Sequence, residues 1–258
     1  MESLRSKIMS LLQTKNLKKI FNGVPAVDDV SINIEPGKIT SLIGPNGSGK
    51  STTINLITGM IPIDSGNIII EKNTKLSKIK PEEIAGYGIT RTFQNVEVFE
   101  QMTVLDNILL VLTERNVFAS LFERHQKYHL DIAEKVLKRL GIWEKRNDVV
   151  EILSYGQRKL LEIARVIAMG ERSDGETKII FFDEPYAGLF PEMVTLVTKI
   201  IKELREEGKA IILVEHNMDI IRELSDYVYV LDTGKHLAEG SVKEVLNDKK
   251  VIEAYLGK

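Results

Sequence analysis

The sequence predicts an α/β layered domain on a mixed sheet, with an antiparallel β part near the N-terminus and a helical subdomain inserted into the core. Three observations carry this expectation. The runs Ile39–Ile43, Ile179–Asp183 and Ala210–Glu215 are short and continuously apolar, as parallel strands covered on both faces are. Helical periodicity fills the long stretch between the first two of them. A fourth run, Tyr227–Leu231, leads through Asp232-Thr233-Gly234 to His236–Glu239, the pattern of a hairpin at a sheet edge.

Each element follows in chain order. Leu17–Phe21 and Val30–Ile34 flank Gly23-Val24-Pro25 and are expected to form an antiparallel pair. Ile39–Ile43 runs into a glycine-rich turn, and Thr52–Thr58 continues as a helix. Residues 91–170 contain three helical pieces: Thr103–Glu114, Leu130–Leu140 and Gln157–Met169. In the first, Val104, Leu105, Ile108, Leu109 and Leu112 make one apolar stripe behind a Thr103 cap; the second stops at Gly141. So much helix exceeds one crossover, so 91–170 is read as an inserted helical subdomain. Gly170–Lys178 is the polar return loop, and 1–90 with 171–258 form the α/β core of one domain spanning 1–258.

Composition bounds the function. With 258 residues, 43% hydrophobic and 28% charged, the chain can bury the core of one large domain or two small ones. A formal net charge of −2 supplies no field for nucleic acid or an anionic membrane. Zero cysteines exclude disulfides, zinc-thiolate sites and a thiol nucleophile. The N-terminal stretch scatters charge through its apolar residues, and no run reaches the roughly 18 apolar residues of a membrane span. The expectation is a protein neither exported nor membrane-spanning by its own sequence.

Gly44-Pro45-Asn46-Gly47-Ser48-Gly49-Lys50-Ser51 matches GxxxxGK[ST] and lies between a strand and the helix entered at Thr52, as that motif requires. Glycines let successive N–H groups curve around phosphate oxygens, and the helix N-terminus adds a favourable dipole. Lys50 is expected to bridge the outer phosphates of a bound nucleotide and Ser51 to ligate Mg²⁺. The strand Ile179–Phe182 delivers Asp183 and Glu184 at its C-terminal end, where open α/β sheets bind ligands. Phosphoryl transfer needs a metal carboxylate and a group that directs water, so Asp183 is read as the former and Glu184 as the latter. Alone, Asp-Glu-Pro could be a solvated turn; the phosphate loop makes that the minor reading.

Leu153-Ser154-Tyr155-Gly156-Gln157 precedes an amphipathic helix, and Ser154 with Gln157 also spells a capping box. At this point the chain resembles the nucleotide-binding subunits of ATP-binding cassette (ABC) transporters, whose LSGGQ signature is matched as LSYGQ. The resemblance covers nearly the whole chain and implies the P-loop NTPase fold with ATPase activity. It implies that Phe21 stacks on adenine, that Gln94 senses metal and water, and that His216 is the switch histidine near the γ-phosphate. It also implies that Ser154, Gly156 and Gln157 complete a site in a second ATPase subunit, identical or related, within an ATP-sandwich dimer. Two departures stand out: Tyr155 replaces the middle glycine of the signature, and Phe190 stands where the family usually has Asp or Asn.

Arg91-Thr92-Phe93-Gln94, LSYGQ, Ala187-Gly188-Leu189 and the ending Val251–Gly257 are similar to the branched-chain amino-acid importer subgroup. That subgroup also includes amide or urea importers and a lipopolysaccharide export ATPase. The resemblance implies transmembrane permease partners, a peripheral position on the cytoplasmic face of the membrane, and no nucleic acid. A soluble ABC ATPase of repair or translation is the rival, but the sustained heptads of the one and the second cassette of the other are absent. A non-catalytic scaffold is opposed by intact Lys50, Asp183, Glu184 and His216. Val96, Val98 and Phe99, following Gln94, are expected to line a docking groove for a membrane subunit.

Overall fold

The structure, a computed structural model, describes residues 10–71, 74–76, 79–93, 96–113, 127–171 and 177–256. Strands β1 (Leu12–Phe21), β2 (Val24–Val30), β3 (Asn33–Ile34), β5 (Ser65–Ile70) and β6 (Thr74–Leu76) make an antiparallel sheet in the order β2-β1-β5-β6, with β3 also on β1. The expected N-terminal pair exists with a corrected register. Asn22 and Gly23 both take positive φ, 49° and 83°, which closes a two-residue hairpin and puts Val24 opposite Phe21 and Pro25 opposite Ile20. Pro25 is tolerated because β2 is an edge strand. The expected strand over 30–34 shrinks to Asn33–Ile34.

The second sheet runs β11-β10-β4-β9-β8-β7, made of β4 (Ile39–Ile43), β7 (Ile89–Arg91), β8 (Ile179–Asp183), β9 (Ala210–Val214), β10 (Tyr227–Asp232) and β11 (Lys235–Gly240). Its neighbours are parallel except for the β10–β11 hairpin at one edge. Strand β9 inserts between β4 and β8, and the three-residue β7 extends the opposite edge. A run that short carries no periodicity to read.

Helix α1 (Lys50–Ile57) follows β4. The helical stretch contains α2 (Val104–Leu112), α3 (Lys127–Arg139) and α4 (Tyr155–Gly170). Thr103 Oγ1 accepts the Asp106 amide at 3.1 Å, the expected cap of α2, and Gly141 leaves α3 with φ 67°. Residues 114–126, and 172–176 of the return loop, lie outside the described residues. Helices α5 (Pro191–Glu206), α6 (Met218–Leu224), α7 (Val242–Leu246) and α8 (Lys249–Leu256) complete the chain.

Period-two alternation along the central strands divides the apolar residues between two covered faces. Ile180 and Phe182 join one cluster, with Val104, Ile108, Val136, Leu160 and Ile163 of the helical stretch and Ile200 and Ile201 of α5. Ile179 and Phe181 face the other cluster, with Ile54 of α1 and Leu12, Leu17 and Ile68 of the antiparallel sheet. The inserted helices therefore share the sheet's core rather than having one of their own.

Candidate nucleotide-binding site

The loop between β4 and α1 is held open by backbone crowding. A Cβ on Gly44 would lie 2.2 Å from the Leu231 carbonyl oxygen, and one on Gly49 would lie 2.5 Å from the Ala26 carbonyl oxygen, so neither position admits a side chain. Gly49 occupies the N-cap of α1 with φ 98° and provides no side-chain cap, which leaves the first N–H groups of the helix free for an anion. Ser51 and Thr52 sit half-buried in that first turn. Lys50, 6% exposed, folds back over the loop and donates from Nζ to the Gly44 carbonyl at 2.7 Å and the Pro45 carbonyl at 3.0 Å. Burial lowers its pKa, while Glu184 and Asp183 oppose that shift. The cation thus rests buried against two carbonyl oxygens of its own loop.

Strand β8 brings Asp183 to the same place, 2% exposed. Its amide donates to Thr92 Oγ1 at 3.0 Å, and Oδ2 faces Arg91 Nη2 at 3.5 Å. Burial pushes its carboxyl above the usual range, with Arg91 opposing. Its Oδ1 is buried without a hydrogen-bond partner, as is Ser48 Oγ in the loop. Native interiors satisfy nearly all such atoms, and these two lie beside an uncapped helix N-terminus, which makes the place a candidate ligand site.

Glu184 leaves the strand with φ 49°, a left-handed conformation that non-glycine residues adopt mainly where the surroundings enforce it. Its Oε1 lies 2.9 Å from His216 Nε2, so residues from the ends of two neighbouring strands meet. Buried Glu215 takes the amides of His216 and Asn217 on Oε2, at 2.8 and 3.1 Å, and so fixes the turn that carries the histidine. Glu184, His216, Tyr186 and Asn217 line a cleft of about 390 Å³.

The structure thus brings together Lys50, Asp183, Glu184 and His216. Phe21 stands exposed at the end of β1, at the tip of the hairpin whose strand β2 abuts Gly49 through Ala26. Ser154 and Gln157 form the expected capping box: Gln157 Oε1 takes the Ser154 amide at 3.0 Å, and Ser154 Oγ takes the Gln157 amide at 3.3 Å. Gly156 packs against Met193 and Leu189, beyond the acidic strand. Among the described residues, these hydrogen bonds of Ser154 and Gln157 do not reach the phosphate loop of their own chain. Gln94 lies outside the described residues.

Both departures find a structural setting. The Tyr155 ring lies over Gly188, with Cε1 2.7 Å from where a Cβ would stand, so the ring is accommodated by a glycine with φ 70° in the same chain. Phe190 is the N-cap of α5, 66% exposed and offering no side-chain cap. Of the three residues expected to line the groove after Gln94, Val98 packs onto the main core, whereas Val96 is half-buried and Phe99 is 48% exposed. Residues missed in the sequence are Arg91, Thr92, Lys159, Glu162 and Glu215. They are buried polar groups acting on the site's backbone or carboxylates, and apart from Arg91 and Thr92 standing just before Phe93-Gln94, no local pattern marks them.

Comparison with known proteins decides the family. A profile described as ABC transporter matches residues 27–187. The chain belongs to the ABC transporter ATP-binding family. A second profile, described as branched-chain amino acid ATP-binding cassette transporter, matches residues 235–258. This ABC ATPase is 38% identical to a probable branched-chain amino acid transport ATP-binding protein LivG of Archaeoglobus fulgidus, the match covering 96% of both chains. It is 33% identical to the lipopolysaccharide export system ATP-binding protein LptB of Escherichia coli, over 96% of this chain and 98% of the relative. A solved ABC transporter ATP-binding cassette in its ADP conformation is 35% identical and superposes with a TM-score of 0.82, covering 97% of this chain and 100% of that one. The ABC ATPase fold is that of a nucleotide-binding P-loop NTPase, and the chain is an ATP-hydrolysing subunit of a transport system.

Proposed function

We propose that this ATPase subunit energises import of branched-chain amino acids. The profile match over 235–258, covering β11, α7 and α8, is the observation that carries the choice of substrate over lipopolysaccharide export. For the chemistry, the supporting observation is the meeting of Lys50, Asp183, Glu184 and His216 around an uncapped helix.

In this reading Gly44–Ser48, with the amides of Gly49 to Thr52, hold the phosphates of ATP, and Lys50 exchanges its loop carbonyls for the outer phosphate oxygens. Phe21 stacks on adenine. Among the described residues no cluster of three or more His, Cys, Asp or Glu forms a resident metal site. Mg²⁺ bound with a nucleotide needs only one or two protein oxygens besides phosphate, and the orphaned Oδ1 of Asp183 fits that demand. Ser51 and Asp183, with Gln94, are the residues that would hold Mg²⁺, which when bound supplies charge neutralisation on the phosphates. Glu184 takes the proton of the attacking water, and His216 holds that carboxylate in place.

The signature residues Ser154, Gly156 and Gln157 serve the phosphate loop of a second ATPase subunit. That assignment agrees with the hydrogen bonds of Ser154 and Gln157 closing within their own helix turn, and it makes the functional unit a dimer. Residues 1–90 with 171–258 act as the nucleotide core and 91–170 as the part that meets the permease. A groove of about 840 Å³, lined by Val96, Val98, Phe99, Met102, Glu151 and Arg165, is the docking surface. Membrane attachment in this reading runs through permease subunits on the cytoplasmic face; among the described residues no helix is long and apolar enough to cross a membrane. The test is reconstitution with candidate permeases and measurement of leucine uptake. Phe99→Glu should leave phosphate release by the isolated subunit unchanged and abolish uptake. Uptake of leucine that survives Phe99→Glu refutes the groove, and lipopolysaccharide transport without leucine uptake refutes the importer.

A further inference from the structure

Arg91 is 9% exposed and has more partners than a structural arginine at a strand end needs. Nη1 donates to Asn55 Oδ1 at 2.8 Å and to Thr58 Oγ1 at 2.9 Å, both at the far end of α1. Nε donates to the Thr92 carbonyl at 3.2 Å, and the guanidinium plane lies over the Phe93 ring at 4.6 Å. These contacts fix the fork in position and in plane. With Nη1 and Nε engaged, Nη2 is left at 3.5 Å from Asp183 Oδ2. The other carboxylate oxygen, Oδ1, is buried and has no partner. The two oxygens are thereby made unequal: one faces a fixed cation, and the other has no hydrogen-bond partner.

The inequality has a consequence for metal choice. Mg²⁺ demands near-octahedral geometry at short distance and accepts one carboxylate oxygen, whereas Ca²⁺ is larger, takes more oxygens and readily binds a carboxylate through both. We infer that Arg91 is a positioning residue that restricts Asp183 to one-oxygen ligation and so biases the site toward Mg²⁺ over Ca²⁺. This rests on the reading of Asp183 as the metal carboxylate. Lysine at position 91 would keep the charge but lose the planar fork, so it cannot hold Asn55, Thr58 and Oδ2 together.

The full chain loaded with ATP is titrated with Mn²⁺ by electron paramagnetic resonance, and Mg²⁺ and Ca²⁺ are then used as competitors. In Arg91→Lys, the ratio of Ca²⁺ to Mg²⁺ affinity should rise by about tenfold, in the range that removing a ligand-orienting partner produces. ATP binding in EDTA should stay within about twofold, because the fork is engaged by Asn55, Thr58, Thr92 and Asp183 rather than by the phosphate loop. Asn55→Ala, which frees one anchor of the fork, should move the ratio in the same direction by a smaller amount. Should Arg91→Lys fail to fold, as judged by circular dichroism, Asn55→Ala and Thr58→Val decide, and an unchanged ratio in both overturns the inference. A merely structural role for Arg91 predicts lower stability with the ratio unmoved, which also overturns it. Asp183→Asn separates the two readings. If it leaves Mn²⁺ affinity intact, the ligand assignment falls and the inference with it; if it abolishes Mn²⁺ binding while Arg91→Lys leaves the ratio unmoved, the inference alone falls.

Discussion

The phosphate-loop region and the signature helix are built on opposite principles. Around the loop, α1 has no side-chain cap, Ser48 Oγ and Asp183 Oδ1 are buried without partners, and Glu184 holds a left-handed backbone. At the signature helix α4, Ser154 and Gln157 close a full capping box. One turn further on, fully buried Lys159 pairs with Glu162 at 3.1 Å. That pair grips the chain leading out of β7: Glu162 Oε1 takes the Phe93 amide at 2.7 Å, and Lys159 donates to the Phe93 carbonyl at 3.2 Å. What separates the two is the helix N-terminus, left uncapped in the first and closed by a capping box in the second; buried atoms without a hydrogen-bond partner occur in both, Glu162 Oε2 and Arg165 Nε being those of α4. The first N–H groups of α1 are therefore available to an anion, while the helix that would meet a second subunit already has its N-terminus capped from its own chain.

The contrast breaks most visibly at Glu184. Glu184→Gln should lower phosphate release by about 10³-fold while ATP affinity holds, since a lost proton acceptor costs chemistry rather than binding. Lys50→Ala should do the reverse and weaken ATP binding on the order of 100-fold, because a buried charge-assisted contact to phosphate is lost. Nucleotide titration alongside phosphate release separates the two, and near-normal turnover in Glu184→Gln would remove it from the water-directing role.

Next in size is the buried pair of the signature helix. Lys159→Met leaves the Glu162 carboxylate buried and unpaired, and should cost about 3–5 kcal/mol of unfolding free energy. Adding Glu162→Leu should recover more than half of that, although the Phe93 amide then loses its acceptor. Chemical denaturation of both variants checks it; a double variant no better than the single one would mean that the grip on Phe93, not charge balance, dominates.

Trapped with ATP, Glu184→Gln should elute as a dimer by size exclusion with light scattering, whereas Ser154→Arg should bind ATP and stay monomeric. A nucleotide-independent oligomer in both variants would contradict a site shared between subunits. The smallest effect is expected at Phe190, the exposed and unproductive N-cap of α5. Phe190→Asn should stabilise the chain by about 1 kcal/mol, a rise in Tm of roughly 2–4 °C, because an amide oxygen can take a first-turn N–H that phenylalanine leaves free. A drop in Tm would mean that the phenyl ring contributes packing that its exposure does not reveal.

By itself, the sequence determined whatever depends on neighbours along the chain. The glycines and Lys50 of the phosphate loop, the Thr103 and Ser154 caps, the stop at Gly141 and the continuous apolar strands were all legible, because turn geometry, capping and burial period are set within a few residues. The motif order also carried the family resemblance, and with it the roles expected of His216 and the signature. Tertiary structure decided what depends on groups far apart in the chain. It set β9 between β4 and β8, moved Val24 and Pro25 from a loop into a strand, and placed His216 2.9 Å from Glu184. It also turned Arg91, Lys159 and Glu162 from ordinary charged residues into buried ones that hold Asp183 and Phe93. A charge looks the same in sequence whether solvated or buried; only the packing around it decides whether it must find a partner, and which one.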